Sequence, residues 1–107
     1  METIKVCAGT EVKLNIYNLP IGDLTMDDYS FEIEAYTPRG RRSLVFTKDQ
    51  AIRVDENNYL VVIDTAMIGP GELWCRQTAQ IPDNDLPDGF RKEVDAQFTG
   101  VVIVSAR

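Results

Sequence analysis

The sequence predicts an all-β fold, a single sandwich of about seven or eight antiparallel strands, and two observations carry this. Apolar residues recur with period two along much of the chain, while the 3.6 period of a helix is missing. Turn signals rich in Gly, Pro, Asn and Asp punctuate the chain about every ten to twelve residues, the rhythm of sandwiches and barrels.

The elements follow in order. "TIKVC" opens with a short strand, and "AGT" at 8–10 turns the chain. In "EVKLNIY", Val12, Leu14 and Ile16 alternate with Glu11, Lys13 and Asn15, the pattern of a strand with one face on a core and one in water. "LPIGD" (19–23) ends it. In "YSFEIEAYT", Tyr29, Phe31, Ile33 and Ala35 alternate with Ser30, Glu32, Glu34 and Tyr36. "PRGRR" (38–42) and "DENN" (55–58) are further turns, and "NYLVVID" (58–64) reads as a central strand covered on both faces. After "IGPG" (68–71), "GELWCRQTAQI" places Leu73, Cys75, Ala79 and Ile81 on one face and Glu72, Trp74, Arg76 and Thr78 on the other. The loop "PDNDLPDG" (82–89) precedes "VDAQFTGVVIVSA", one or two strands in which Gly100 marks a bulge or bend. Only "TKDQAIR" and "DTAMIG" offer a short helical turn. The expected centre of the core is Phe31, Ile33, Val61, Ile63, Leu73, Val94 and Phe98. The architecture is immunoglobulin-like, but Trp74 adjoins Cys75, so their side chains take opposite faces and the core tryptophan between bridged cysteines is missing.

At 107 residues the chain (1–107) forms one domain. An apolar fraction of 44% and a charged fraction of 26% are those of a globular protein. The net charge of −6 argues against nucleic acid as partner. No stretch approaches a membrane span and no signal peptide is visible, so synthesis in the cytoplasm, with later entry into a particle, is expected. Cys7 and Cys75 are expected to be buried free thiols, with a disulfide as the alternative. Two cysteines without histidine cannot complete a zinc site, and the lack of histidine excludes the serine–histidine and cysteine–histidine nucleophiles. No glycine-rich phosphate loop is present, and the acids fall on solvent faces and turns, so the chain is read as no enzyme and as needing no cofactor.

Three patches are candidates for contact. "QIPDNDLPDGFRKE" (80–93) crowds Asp83, Asp85 and Asp88 between prolines. Counted from Asp83, an EF-hand frame accepts Asp83 and Asp85 at positions one and three. It then meets Pro87 at five, Asp88 at six and Val94 at twelve, where a glutamate should close the site. Calcium held by Asp83, Asp85 and Asp88 is therefore the weaker alternative to an ordered contact loop stiffened by Pro82 and Pro87. "TPRGRR" presents Arg39, Arg41 and Arg42 at a hairpin tip. Residues 38–53 carry a net charge of +4, which leaves −10 for the rest, so copies of the chain are candidate head-to-tail partners. The bland reading is a solubilised turn. Trp74 beside Arg76 is either an interface anchor or sugar platform, or a pair covered by another segment.

"VKLNIYNL", the charged hairpin and "IRVDENNYLVVIDTAMIGPGELWCR" together resemble the small β-sandwich modules of virions of tailed phages and prophages of gut bacteria. These include the N-terminal domains of baseplate upper proteins and head-surface auxiliary proteins. The shared residues are Asp55 to Asn58, Asp64, Thr65, Gly69, Gly71 and Leu73, over roughly residues 4–80. The resemblance implies a non-enzymatic structural component of the capsid surface or of the tail or baseplate, working through protein–protein contacts. It brings no catalytic or metal residues. The alternative is a carbohydrate- or surface-ligand-binding sandwich, calcium-assisted at the aspartate loop.

Overall fold

Period-two alternation becomes eight strands in the computed structural model, which describes residues 3–105. They are β1 (Ile4–Cys7), β2 (Glu11–Tyr17), β3 (Ser30–Tyr36), β4 (Ser43–Thr47), β5 (Ile52–Asp55), β6 (Asn58–Asp64), β7 (Gly71–Pro82) and β8 (Phe90–Val104). Five form one sheet in the order β1-β8-β7-β3-β4, and three form the other in the order β2-β6-β5. The second, sixth and fifth strands thus pair as the B, E and D strands of an immunoglobulin sandwich do. The third, seventh and eighth take the places of C, F and G, with β4 beside C.

One pairing departs from the antiparallel expectation. β1 runs parallel to β8, with Ile4 opposite Val101 and Cys7 opposite Val104. A parallel pair needs a long crossover between its strands, and here the rest of the chain supplies it.

Ile33, Ile63 and Leu73 are fully buried between the sheets, and Phe31 and Val61 almost so, as the alternation predicts. Phe31 sits edge-on to Tyr59 with ring centroids 5.0 Å apart. Val94 and Phe98 depart from the prediction: Val94 is 56% exposed and Phe98 only half-buried. Their alternation is correct and their side is inverted. Thr78 pairs with Val94 and Trp74 with Phe98, so both lie on the outer face of the five-stranded sheet. Glu93, Asp95 and Gln97 take the inner side, at the margin of the smaller sheet beside β2, and all three stay exposed. Val101 and Ile103, beyond the bulge, supply the inward apolar positions instead. That bulge sets Thr99–Val101 against Leu73 alone, with Gly100 at φ 88° and the Thr99 hydroxyl donating to the Leu73 carbonyl at 2.7 Å.

"NYLVVID" is central in its sheet, but only one face is covered. Tyr59, Val61 and Ile63 are buried while Val62 is 38% exposed, because no third layer covers the three-stranded sheet. Cysteines split likewise: both are free, Cys75 buried and Cys7 exposed on the thin β1 edge. Burial, with the Asp95 charge second, pushes the Cys75 thiol up to about 11.

Single 3₁₀ turns occupy Lys48–Gln50 and Thr65–Met67, within the two predicted segments. A third, Met26–Asp28, was not expected. Thr25 caps it and the Asp28 carboxylate returns to the Thr25 N–H at 2.8 Å, a capping box that drives Met26 fully into the core. Its Asp27 carboxylate accepts from Arg53 at 2.8 Å and from the Tyr59 hydroxyl at 2.6 Å. These bonds hold Asp27 down at about 2, while burial and Asp27 push Tyr59 up to about 12. The β2–β3 connection is thereby clamped to the β5–β6 hairpin.

Candidate interaction surface

The outer face of the five-stranded sheet is built by the register of its strands. One rung across it reads Ser43, Tyr36, Trp74, Phe98, and the next outward-facing rung reads Val45, Glu34, Arg76, Ala96. Three aromatic side chains from separate strands therefore stand in one row, with a cation and an acid in the row beside it. Trp74 and Phe98 lie 6.1 Å apart, tilted by 35°. The Arg76 guanidinium stacks 4.7 Å from the Tyr36 ring centre and pairs with Glu34. The Trp74 ring N–H donates to Glu72 at 3.3 Å. Trp74, Tyr36 and Phe98 are half-buried, and Val45 and Val94 are 47% and 56% exposed at the margins.

Trp74 and Arg76 are thus two of the predicted residues that the fold does bring together. Tyr36 and Phe98 complete the row and were not expected there. For Phe98 the only signal is that "VDAQF" alternates, which leaves its side undetermined. For Tyr36 it is the shared parity with Glu32 and Glu34, which places it facing solvent.

The other two patches stand apart from it and from each other. Arg39, Arg41 and Arg42 are exposed in the β3–β4 turn, beyond the Trp74 rung. That turn needs Gly40, since a Cβ there would lie 2.2 Å from the Thr37 hydroxyl oxygen. Asp83, Asp85 and Asp88 lie beyond the Gln80–Lys92 pair at the far end of the long β7–β8 hairpin. The basic tip and the acidic loop are therefore at opposite ends of the same sheet.

The aspartates order their loop by themselves. Asp83 accepts from the Asp85 N–H at 3.0 Å and from Arg91 at 2.9 Å, and Asp88 accepts from the Phe90 N–H at 3.2 Å. Backbone bonds from Asp83 N–H to Gly89 and from Gly89 N–H to Leu86 close the turn. Among the described residues no three acids or cysteines gather as metal ligands. Calcium titration is therefore expected to leave the melting temperature unchanged, and a dissociation constant tighter than about 10⁻⁴ M would overturn that reading of the loop.

An open groove of about 460 Å³ runs between the β2–β3 connection and the hairpin, lined by Tyr17, Leu19, Ile21, Ile81 and Val94, with Glu93 and Asp95 on its rim. Those acids are exposed and stand two apart on one strand, side by side and not facing each other across a substrate. No helix among the described residues is long and apolar enough to cross a membrane.

No family model, curated protein or solved structure matches this chain.

Proposed function

We propose that the chain is a non-enzymatic assembly protein of a phage-like virion, acting through protein–protein contacts at the capsid surface or in the tail or baseplate. The observation that carries the contact role is the Tyr36–Trp74–Phe98 row with Arg76 beside it. Aromatic residues and arginine dominate the energetically decisive parts of protein interfaces. A sheet face meant only for water has no use for three rings in line. The virion setting rests on the resemblance of the β2 segment and the β5–β7 stretch to small sandwich modules of tailed phages. Within that setting the chain is made in the cytoplasm and ends in the particle.

The carbohydrate-binding alternative uses the same rings. It is the poorer fit, because a sugar platform needs free polar groups around its rings. Here the Trp74 N–H is committed to Glu72, and Arg76 to Glu34 and Tyr36.

The test is co-sedimentation of the tagged chain with particles through a density gradient. The wild type is expected in the particle band. Trp74→Ala, and the exposed-site variant Val94→Arg, are expected to lower the bound fraction roughly tenfold or more. A chain that stays at the top of the gradient, or variants that sediment like wild type, would sink the proposal.

A further inference from the structure

We infer that the two free edges of the five-stranded sheet pair with each other between copies, β4 of one chain adding to β8 of the next. This deepens the assembly reading, on which it rests, by naming a second copy of the chain as one partner.

The edges exist because the sheet is unevenly covered. β1 lies along β8 only from Val101 to Val104, so residues 90–98 of β8 have a strand on the β7 side alone. Residues 92–97 are exposed on both faces as well. At the other margin β4 ends the sheet, with its outer backbone edge unpaired. Exposed edges of this kind are templates for pairing with another chain.

The edges also match in height and direction. The rungs Thr47–Glu32–Thr78–Val94 and Ser43–Tyr36–Trp74–Phe98 place β4 residues 43–47 level with β8 residues 94–98. The pairs β4–β3, β3–β7 and β7–β8 are each antiparallel, so β4 and β8 run in opposite directions. Advancing one copy across the sheet, with the rotation that continues the sheet's own twist, sets β4 antiparallel to β8. Val45 then faces Ala96 of the second copy on the outer side, and Ser43 meets its Phe98, so that the aromatic rows of the two copies lie end to end across Ser43.

Charge at the strand ends supports this pairing. β4 is bracketed by Arg41 and Arg42 before it and by Lys48 and Asp49 after it, whereas the free stretch of β8 holds Arg91, Lys92, Glu93 and Asp95, so that Asp49 falls level with Lys92. Lys48 falls level with Glu93 and diagonal to Asp95. Two of its three N–H donors go to the Asp27 and Tyr29 carbonyls, which leaves one. Pairing β4 with β4 would bring the basic brackets together. Pairing β8 with β8 about Val94, the middle of its free edge, would set Glu93 against Asp95. Like charges directly opposite are destabilising in a sheet. Such a β4–β8 contact uses two different surfaces, so it does not close on a two-fold axis and repeats from copy to copy.

Disulfide trapping of the purified full chain tests it, in a Cys7→Ser background that removes the exposed thiol. Directly opposed residues on antiparallel strands stand close enough to be bridged. With Val45→Cys and Ala96→Cys on one chain, mild oxidation is expected to give a ladder of covalent multimers, weaker at about 1 M salt, where charge is screened within about 3 Å. Each single variant alone should give no covalent dimer, and their equal mixture should stop at a covalent dimer. No cross-link in the mixture, or a dimer from either single variant alone, would overturn the inference. If trapping fails while the wild type still sediments with particles, only the self-pairing falls; if both fail, so does the assembly reading.

Discussion

Replacing Ile63 by alanine is expected to lower stability by about 2–5 kcal/mol, enough to reduce Tm by roughly 8 °C or more. Ile63 is fully buried on β6, opposite Val12 of β2, in the middle of the apolar layer between the sheets. Truncation removes most of its side chain where neighbours from both sheets are held by their ladders and cannot collapse inward. The cost is the lost transfer energy plus the cavity. Val94→Ala and Val62→Ala, at 56% and 38% exposure, are the internal comparison. Each is expected to change stability by no more than about 0.5 kcal/mol. Urea unfolding of the three variants checks all of this at once. A Val94→Ala loss equal to that of Ile63→Ala would mean that the first half of β8 faces the core after all.

That comparison marks where the sequence was legible. Alternation located β2, β3 and β7 and their buried sides, because in each most inward residues are apolar and most outward ones polar. It located β8 too, and then misled about its side. Val94 and Phe98 are the apolar members of their alternation, yet their side looks away from the three-stranded sheet, and it is the one that meets Trp74. Period fixes which residues share a face, while the partner that covers the face is a long-range fact. The parallel β1–β8 pair was hidden for the same reason, since nothing local to "TIKVC" names a strand at the far end of the chain. Met26 escaped because a single turn offers no period at all, and its only trace is the Thr25–Asp28 spacing of a cap. The contact surface was half visible. Trp74 and Arg76 announced themselves as chemically unusual for a solvent face, whereas Tyr36 and Phe98 joined them only through register.

Thr65→Val is the second large effect, and it probes the corner where "DTAMIG" meets "AGT". Thr65 is fully buried at the end of β6, and its hydroxyl works in both directions. It accepts from the Gly9 N–H at 2.9 Å and donates to the Thr10 carbonyl at 2.8 Å, tying the β1–β2 turn to the three-stranded sheet. Valine matches threonine in shape, so packing survives and the hydroxyl alone is lost. The Thr10 carbonyl keeps the Thr65 N–H at 3.3 Å, but the Gly9 N–H is left without its acceptor. Gly9 is exposed, so water can reach that N–H, and the loss is that of the two hydroxyl bonds at about 0.5–1.5 kcal/mol each, about 1–3 kcal/mol together. Thr65→Ser keeps both bonds and loses one methyl, a cost of about 0.8 kcal/mol. The expected order of stability is therefore threonine, serine, valine. A corner held by packing alone would reverse the last two, since valine would then behave as wild type. Amide exchange separates the cases locally. In Thr65→Val the Gly9 amide should exchange faster by more than the global loss of stability accounts for, while the Ile63 amide follows the global change only. Equal acceleration at both amides would mean that the hydroxyl pins nothing at this corner.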